Sequence, residues 1–233
     1  MTHEPFDSIP DDDTLVERFE PALVASAAEL ASLALLCHVQ GWGRAAGASF
    51  SARAGEGRML VTAAGRDKES LTTADFCVAD HEGRLERSGP PPSIDAPLHG
   101  AVYRKVPGAS AVALTCSLAA TVLSRYLARR GSLALRGYAL ARAFGPGAPD
   151  GGLTLPICKG ASDPAALARL VEGRLDRGSV ACLLEGQGLM TWGPDVAALR
   201  RHVEALEFLL ACELAALSLP AVDGAVTRGP PRP

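Results

Sequence analysis

The residues best suited to chemistry fall in four short strings. Ser93-Ile94-Asp95 sets a hydroxyl and a carboxylate ahead of a helical segment, whose first free amides would meet an anion. Thr115-Cys116-Ser117 puts three small polar side chains between the apolar run 111–114 and a second segment of helical period. A thiol there is either a thiolate held by helix amides or a small apolar filler, and both readings stand. Gln187 lies between Gly186 and Gly188, so its amide needs polar partners and suits a substrate oxygen. Tyr138 offers a hydroxyl at a site mouth, or simply a packing ring. Asp95 reads as a carboxylate satisfied by its own helix or as a general base, with His99 one turn on as its hydrogen-bond partner. Glycines 41, 43, 47 and 65 free the backbone to turn amides toward a ligand. Arg44, Ser49, Arg66 and Lys68 lie among them and would face an anion; the alternative is two hairpin turns carrying solvated charges.

These groups need a scaffold, and periodicity supplies one. A helix is expected over 21–38, then a hairpin of strands ASFSAR and RMLVT turning at 54–57. One helical turn over 72–75 leads into the strand FCVAD. PPPS stiffens the approach to a helix over about 95–105 with Ser93 as its cap. The strand and helix around Cys116 follow, then a short element at Tyr138 and a loop through FGPGAPDGG. GLTLPIC reads as a strand and DPAALARLVEGRLD as a helix with Pro164 in its first turn. VACLLEG and LMTW read as an edge-facing strand pair around Gln187. A long apolar helix starting near Asp195 closes the pattern. The sum is an α/β fold, a mixed sheet of seven or so strands with helices on both faces. No GxGxxG loop follows a strand, which disfavours a dinucleotide fold. The expected organisation is a lead over 1–18, one domain over 19–218 and a proline-rich tail over 219–233.

Composition narrows the function classes. The 233 residues carry a formal charge of -3 with no continuous cationic stripe, so nucleic acid is not an expected partner. No uninterrupted apolar run reaches the ~18 residues of a bilayer span, so no membrane partner is expected. The acidic N-terminus lacks the form of a signal peptide. Six scattered cysteines without a CxxC pair favour free thiols and a cytoplasmic location.

The strings GWGRAAGASFSAR, LVTAAGRDKESLTTADFCVAD, PPSIDAPLHGAVYRKVPGASAVALTCS and GQGLMTWG followed by RRHVEALEFLL resemble the class II aldolase/adducin superfamily. Within it they are most similar to bacterial methylthioribulose-1-phosphate dehydratases. The resemblance implies that fold, with a central, mainly antiparallel mixed sheet, and a homotetramer with pockets between neighbours. It implies a zinc site of two histidines in an HTH triplet and a third in a GHG turn; here those positions hold Leu114, Thr115 and Cys116, and Gln187. A replacement site of Asp95, His99 and Cys116 is the remaining metal reading, and the expectation is no metal and no cofactor. The dehydratase acid/base glutamate after GY matches Ala139, whereas the aldolase glutamate after the phosphate-binding serine matches Asp95 after Ser93. The asparagine of the GNFS-like turn matches Ser49, and the serine of TxSG matches Ala64, with Gly65 kept.

The resulting expectation is a divergent, metal-independent lyase or isomerase. Its substrate would be a small oxygenated or phosphorylated metabolite, including those of secondary metabolism. Asp95, Cys116, Tyr138 and Gln187 are the catalytic candidates. Ser49, Gly65, Ser93, Thr115, His99, Arg44 and Arg66 are the substrate-binding ones. The alternative is a catalytically inactive binding or scaffolding member, and behind it a true zinc dehydratase.

Overall fold

Apolar runs of four to six residues broken by glycine and proline turns become eight strands in the computed structural model. It describes residues 19–86, 88–144, 152–161 and 163–219. The expected lead over 1–18, most of the FGPGAPDGG loop and all but Leu219 of the tail lie outside the described residues. The strands are β1 (Ser49–Arg53), β2 (Arg58–Thr62), β3 (Phe76–Asp80), β4 (Ala111–Thr115), β5 (Ser132–Leu135), β6 (Leu153–Cys158), β7 (Ala181–Leu184) and β8 (Gly188–Gly193). They form one sheet in the order β3-β2-β1-β4-β8-β7-β6-β5. The β6–β7 pair is parallel and the other pairs are antiparallel.

The strands expected at an edge, β7 and β8, lie inside the sheet, with β8 between β4 and β7. Every residue of both is buried, because helices cover the two faces and leave no solvated side to alternate toward. One face carries α2 (Ala96–Lys105) and α4 (Pro164–Arg174). The other carries α1 (Pro21–Val39), α3 (Leu118–Tyr126) and α5 (Val196–Ser218).

By length and composition α1 could cross a membrane, with 19 residues at a mean hydropathy of 1.8. That corrects the expectation that no segment qualifies, since Glu29 interrupts the run without making it polar. Its buried line of Ala27, Leu30, Leu33, Ala34 and Cys37 is spaced as a helix docked on a sheet requires, and it joins the core cluster of Phe50, Leu60 and Phe76.

Two local features aim the site. The helix expected from Asp95 begins at Ala96, with Asp95 at its cap position. Ser93 is not the cap: its Oγ accepts from the Asp95 N–H at 3.3 Å, forming a turn one step earlier. The register of β4 pairs Ser49 with Leu114 on one side and Leu189 with Thr115 on the other, so the 186–188 turn sits at the outgoing end of β4. A Cβ on Gly188, at φ +154°, would fall 1.9 Å from the Thr115 carbonyl oxygen. Only glycine allows the turn to press that closely.

Candidate active site

Alternation along β4 separates the central triplet. Leu114 faces α2 and is buried with Met59, Val61, Met190 and Trp192. Thr115 points to the opposite face, where its hydroxyl donates to Glu207 Oε1 on α5. The triplet therefore does not serve one pocket, and Thr115, expected to bind substrate, is bound to a buried carboxyl behind the sheet. Cys116 comes next, half-buried. Its N–H donates to the Trp42 carbonyl at 2.6 Å, and it bridges Gly43. Its Sγ lies against Gly47, 3.4 Å from where a Cβ would stand. Ala45 and Ala46 between them both hold left-handed backbone, at φ 49° and 59°. Strain of about 1–2 kcal/mol at each alanine is stored in the loop that seats Cys116. Gln187 is exposed in its turn beside Cys116.

A second group gathers where β2 runs on past its end. The Ser93 N–H donates to the Thr62 carbonyl, the Ala64 N–H to the Pro91 carbonyl, and Ala63 bridges Pro92. These bonds bring Gly65, Ser93 and Asp95 to one corner. Burial there raises the pKa of Asp95, with Lys68 pulling it back down. Lys68 is only 3% exposed, and burial depresses its pKa against the opposing pull of Asp67, Asp95 and Asp75. Its ammonium donates to the Arg66 carbonyl, and its stem passes under Gly43, the residue that bridges Cys116. Lys68 thus lies within electrostatic reach of Asp95, with its stem beside the residue that bridges Cys116. Sequence reading names it only as a possible neighbour of an anion; its burial sets it apart from Lys105 and Lys159, the other lysines.

Five expected residues go elsewhere. His99 is fully buried, with Nε2 2.8 Å from Ser49 Oγ and Nδ1 2.7 Å from Ser51 Oγ. Ser51 also bonds the Tyr103 hydroxyl at 2.8 Å. Ser49 and His99 are therefore partners of each other in the core, facing neither a substrate nor, in the case of His99, the Asp95 carboxylate. Burial drives the His99 pKa down to about 3, so the ring is neutral. Arg66 is paired with Asp75 at 3.3 Å. Tyr138 donates to Glu213 Oε1 on α5 at 2.9 Å, which ties it to the far side of the fold. Arg44 lines a cavity of about 380 Å³ with Glu207, on the other face from Asp95.

Sequence reasoning misses Glu207 altogether. The signal is present: positions 203, 206, 207 and 210 repeat as one buried helical face, and a glutamate there must find partners. It is 2% exposed, burial raises its pKa, and the Thr115 and Ser117 hydroxyls beside it offset part of that rise.

The zinc that the resemblance implies does not fit these residues. No three His, Cys, Asp or Glu side chains gather as a ligand group among the described residues. Leu114 is sealed in an apolar cluster, and both ring nitrogens of His99 are held by serines, so His99 cannot join Asp95 and Cys116 around an ion.

Comparison with known proteins agrees with the architecture. The class II aldolase and adducin N-terminal domain matches residues 28–214. A methylthioribulose-1-phosphate dehydratase from Sorangium cellulosum is 41% identical over 192 residues, covering 81% of this chain and 91% of that protein. Among solved structures, YgbL from Klebsiella pneumoniae, described as a putative aldolase/epimerase/decarboxylase, superposes with a TM-score of 0.72 at 20% identity. It covers 83% of this chain and 90% of its own. The L-fuculose-1-phosphate aldolase of Thermus thermophilus gives 0.63 at 24% identity, covering 86% and 100%.

Proposed function

This chain belongs to the class II aldolase and adducin family, and on that footing we propose that it is a metal-independent lyase or isomerase. Its substrate is a small phosphorylated or otherwise anionic carbonyl compound. The observation that carries the reading is the Asp95–Lys68 pair: a desolvated carboxylate within electrostatic reach of a buried ammonium, beside Ser93 and Gly65. Phosphorylated sugars are the substrates named for the dehydratase relative and for the aldolase of the same fold.

Asp95 takes the proton from the carbon next to the substrate carbonyl. The C–H electrons move onto the carbonyl oxygen, and the Lys68 ammonium stabilises the enolate. The Gln187 amide supplies a neutral donor, and the Ser93 hydroxyl and the amides near Gly65 and the start of α2 hold the anionic group. Protonation at the neighbouring carbon gives isomerisation; expulsion of a leaving group gives a lyase. A base with a raised pKa suits neutral pH, and a fixed cation does at the oxygen part of what a metal would do.

The test is proton exchange at the α-carbon, followed by NMR in deuterated water with a panel of sugar phosphates and small hydroxy and keto acids. Exchange insensitive to chelator is expected, with far less than one zinc per chain by elemental analysis. Dehydration of methylthioribulose phosphate is expected to be absent, because Ala139 has no acid/base group. Stoichiometric zinc whose removal ends turnover would overturn the reading. One observation favours the inactive alternative: Leu114 is packed into the apolar core where the family has a ligand. Absence of exchange with every compound would select it.

The assembly is proposed to be a homotetramer. Leu118, Val122 and Tyr126 form an exposed apolar line along α3, and Phe208 and Leu217 are exposed on α5. Light scattering should return four times 24.1 kDa. A stable monomer at micromolar concentration would rule it out.

A further inference from the structure

A second cavity lies where β1 ends and β2 begins, between the first turn of α1, the 54–57 turn and the middle of β3. It is about 270 Å³, room for a small organic molecule. Arg53 and Arg58 line it, together with the apolar side chains of Phe19, Leu23, Ala54 and Val78. Arg53 is fixed in place. Its Nε donates to the Ala109 carbonyl at 3.2 Å, its Nη2 donates to the Ala109 and Tyr103 carbonyls at 2.9 and 3.2 Å, and its guanidinium lies 4.8 Å from the centre of the Tyr103 ring. Among the described residues the two N–H groups on Nη1 have no partner, and no carboxylate pairs with Arg53. Nη1 is not sealed either: the buried side-chain atoms that lack a partner among the described residues are His81 Nε2 and Glu207 Oε2. Arg58 is held more loosely. Its Nη2 lies 3.1 Å from where a Gly55 Cβ would stand, and Glu86 approaches its Nη1 only to 3.9 Å, beyond hydrogen-bond distance. Glu20 also lines the cavity, but it is exposed, so water screens its charge.

We propose that this cavity binds a small monocarboxylate with a hydrocarbon body, of the kind an aromatic acid presents. One carboxylate oxygen accepts from Arg53 Nη1 and the other from Arg58, while the hydrocarbon body lies on Phe19, Leu23 and Val78. The lining selects this class. A guanidinium anchored by carbonyls keeps its whole positive charge, and its free donors are already oriented for an anion. The residues around it are apolar, so a bare anion would leave that surface wet, and a neutral ring would leave the donors without a charged acceptor. The site is separate from the Asp95 corner. Arg53 and Arg58 stand at the ends of β1 and β2 remote from Ser49 and Thr62, and a five-residue strand spans about 13 Å. None of the lining residues belongs to α3 or α5, the helices proposed to meet a neighbouring subunit.

Calorimetry on the full chain with benzoate, benzyl alcohol and inorganic phosphate tests it. Benzoate should bind saturably at millimolar concentration or below. Benzyl alcohol, with the ring and no charge, and phosphate, with charge and no ring, should each bind about tenfold more weakly or worse. Arg53→Met and Arg58→Met should each weaken benzoate by about tenfold or more. Ala22→Trp, on the exposed first turn of α1, should do so with both charges in place. That keeps the test decisive if the Arg53 variant, which leaves two carbonyls open, does not fold. Asp95→Asn should leave benzoate binding unchanged. No saturable binding of benzoate would overturn the proposal. So would phosphate or benzyl alcohol binding as tight as benzoate, benzoate binding indifferent to Arg58→Met or to Ala22→Trp, or its loss in Asp95→Asn, which would place the ligand at the other site.

Discussion

Asp95→Asn is expected to lower turnover of the accepted substrate by 10²–10⁴-fold while substrate affinity stays within a few-fold, the range in which a positioned acid or base contributes. Asparagine keeps the shape of aspartate and removes only the group that takes a proton. Nothing in the fold should follow the change, because Asp95 makes no side-chain capping bond and α2 starts without one. The rate should fall in kcat, since the carboxylate acts on the transition state. Lys68→Met should lose rate as well, through the enolate charge. It should also leave Asp95 with a higher pKa than in wild type, because the ammonium is what opposes the effect of burial. The wild-type rate should therefore rise with pH through a carboxylate pKa that lies above the usual value, and in Lys68→Met that limb should move further up. Full activity in Asp95→Asn would end the case for Asp95.

The pattern of the chain makes the scaffold legible because each element buries a run of fixed period. FCVAD, RMLVT and the long last helix are β3, β2 and α5 almost residue for residue. The site is less legible, for reasons that differ by residue. A family triplet groups Leu114, Thr115 and Cys116, yet a strand sends neighbours to opposite faces. Helical spacing pairs His99 with Asp95, whereas its ring meets Ser49 and Ser51, about 50 positions away in β1. Spacing along one helix shows what lies on a face and says nothing of which strand that face covers. Tyr138 and Glu213 meet across 75 positions, which no local pattern encodes. Lys68 and Glu207 are the sharpest cases. Charged types are read as solvated, and only a fold shows which of them is closed off from water.

Between pH 7.5 and 4, wild-type protein is expected to lose about 3 kcal/mol more stability than His99→Gln. The folded pKa of His99 is depressed to about 3 from 6.5, because a fully buried ring that takes a second proton carries its charge away from water. Below 6.5 the unfolded chain binds a proton that the folded chain refuses, so the contribution is complete above 6.5 and lost as pH falls toward 3. Asp95 and Glu207 act with the opposite sign: burial raises their folded pKa values, so acid relieves them and flattens the overall profile. His81 and His202, also depressed, steepen it. The variant isolates the His99 contribution, because those four groups are present in both proteins. Glutamine suits the purpose, since its amide can accept from one serine and donate to the other without titrating. Some stability is given up at neutral pH for imperfect packing, about 1–2 kcal/mol. The comparison is urea unfolding of both proteins across the pH range. Curves that converge and then cross in acid are the expected outcome; parallel curves would show that the ring takes a proton in the folded state and that burial does not hold it neutral.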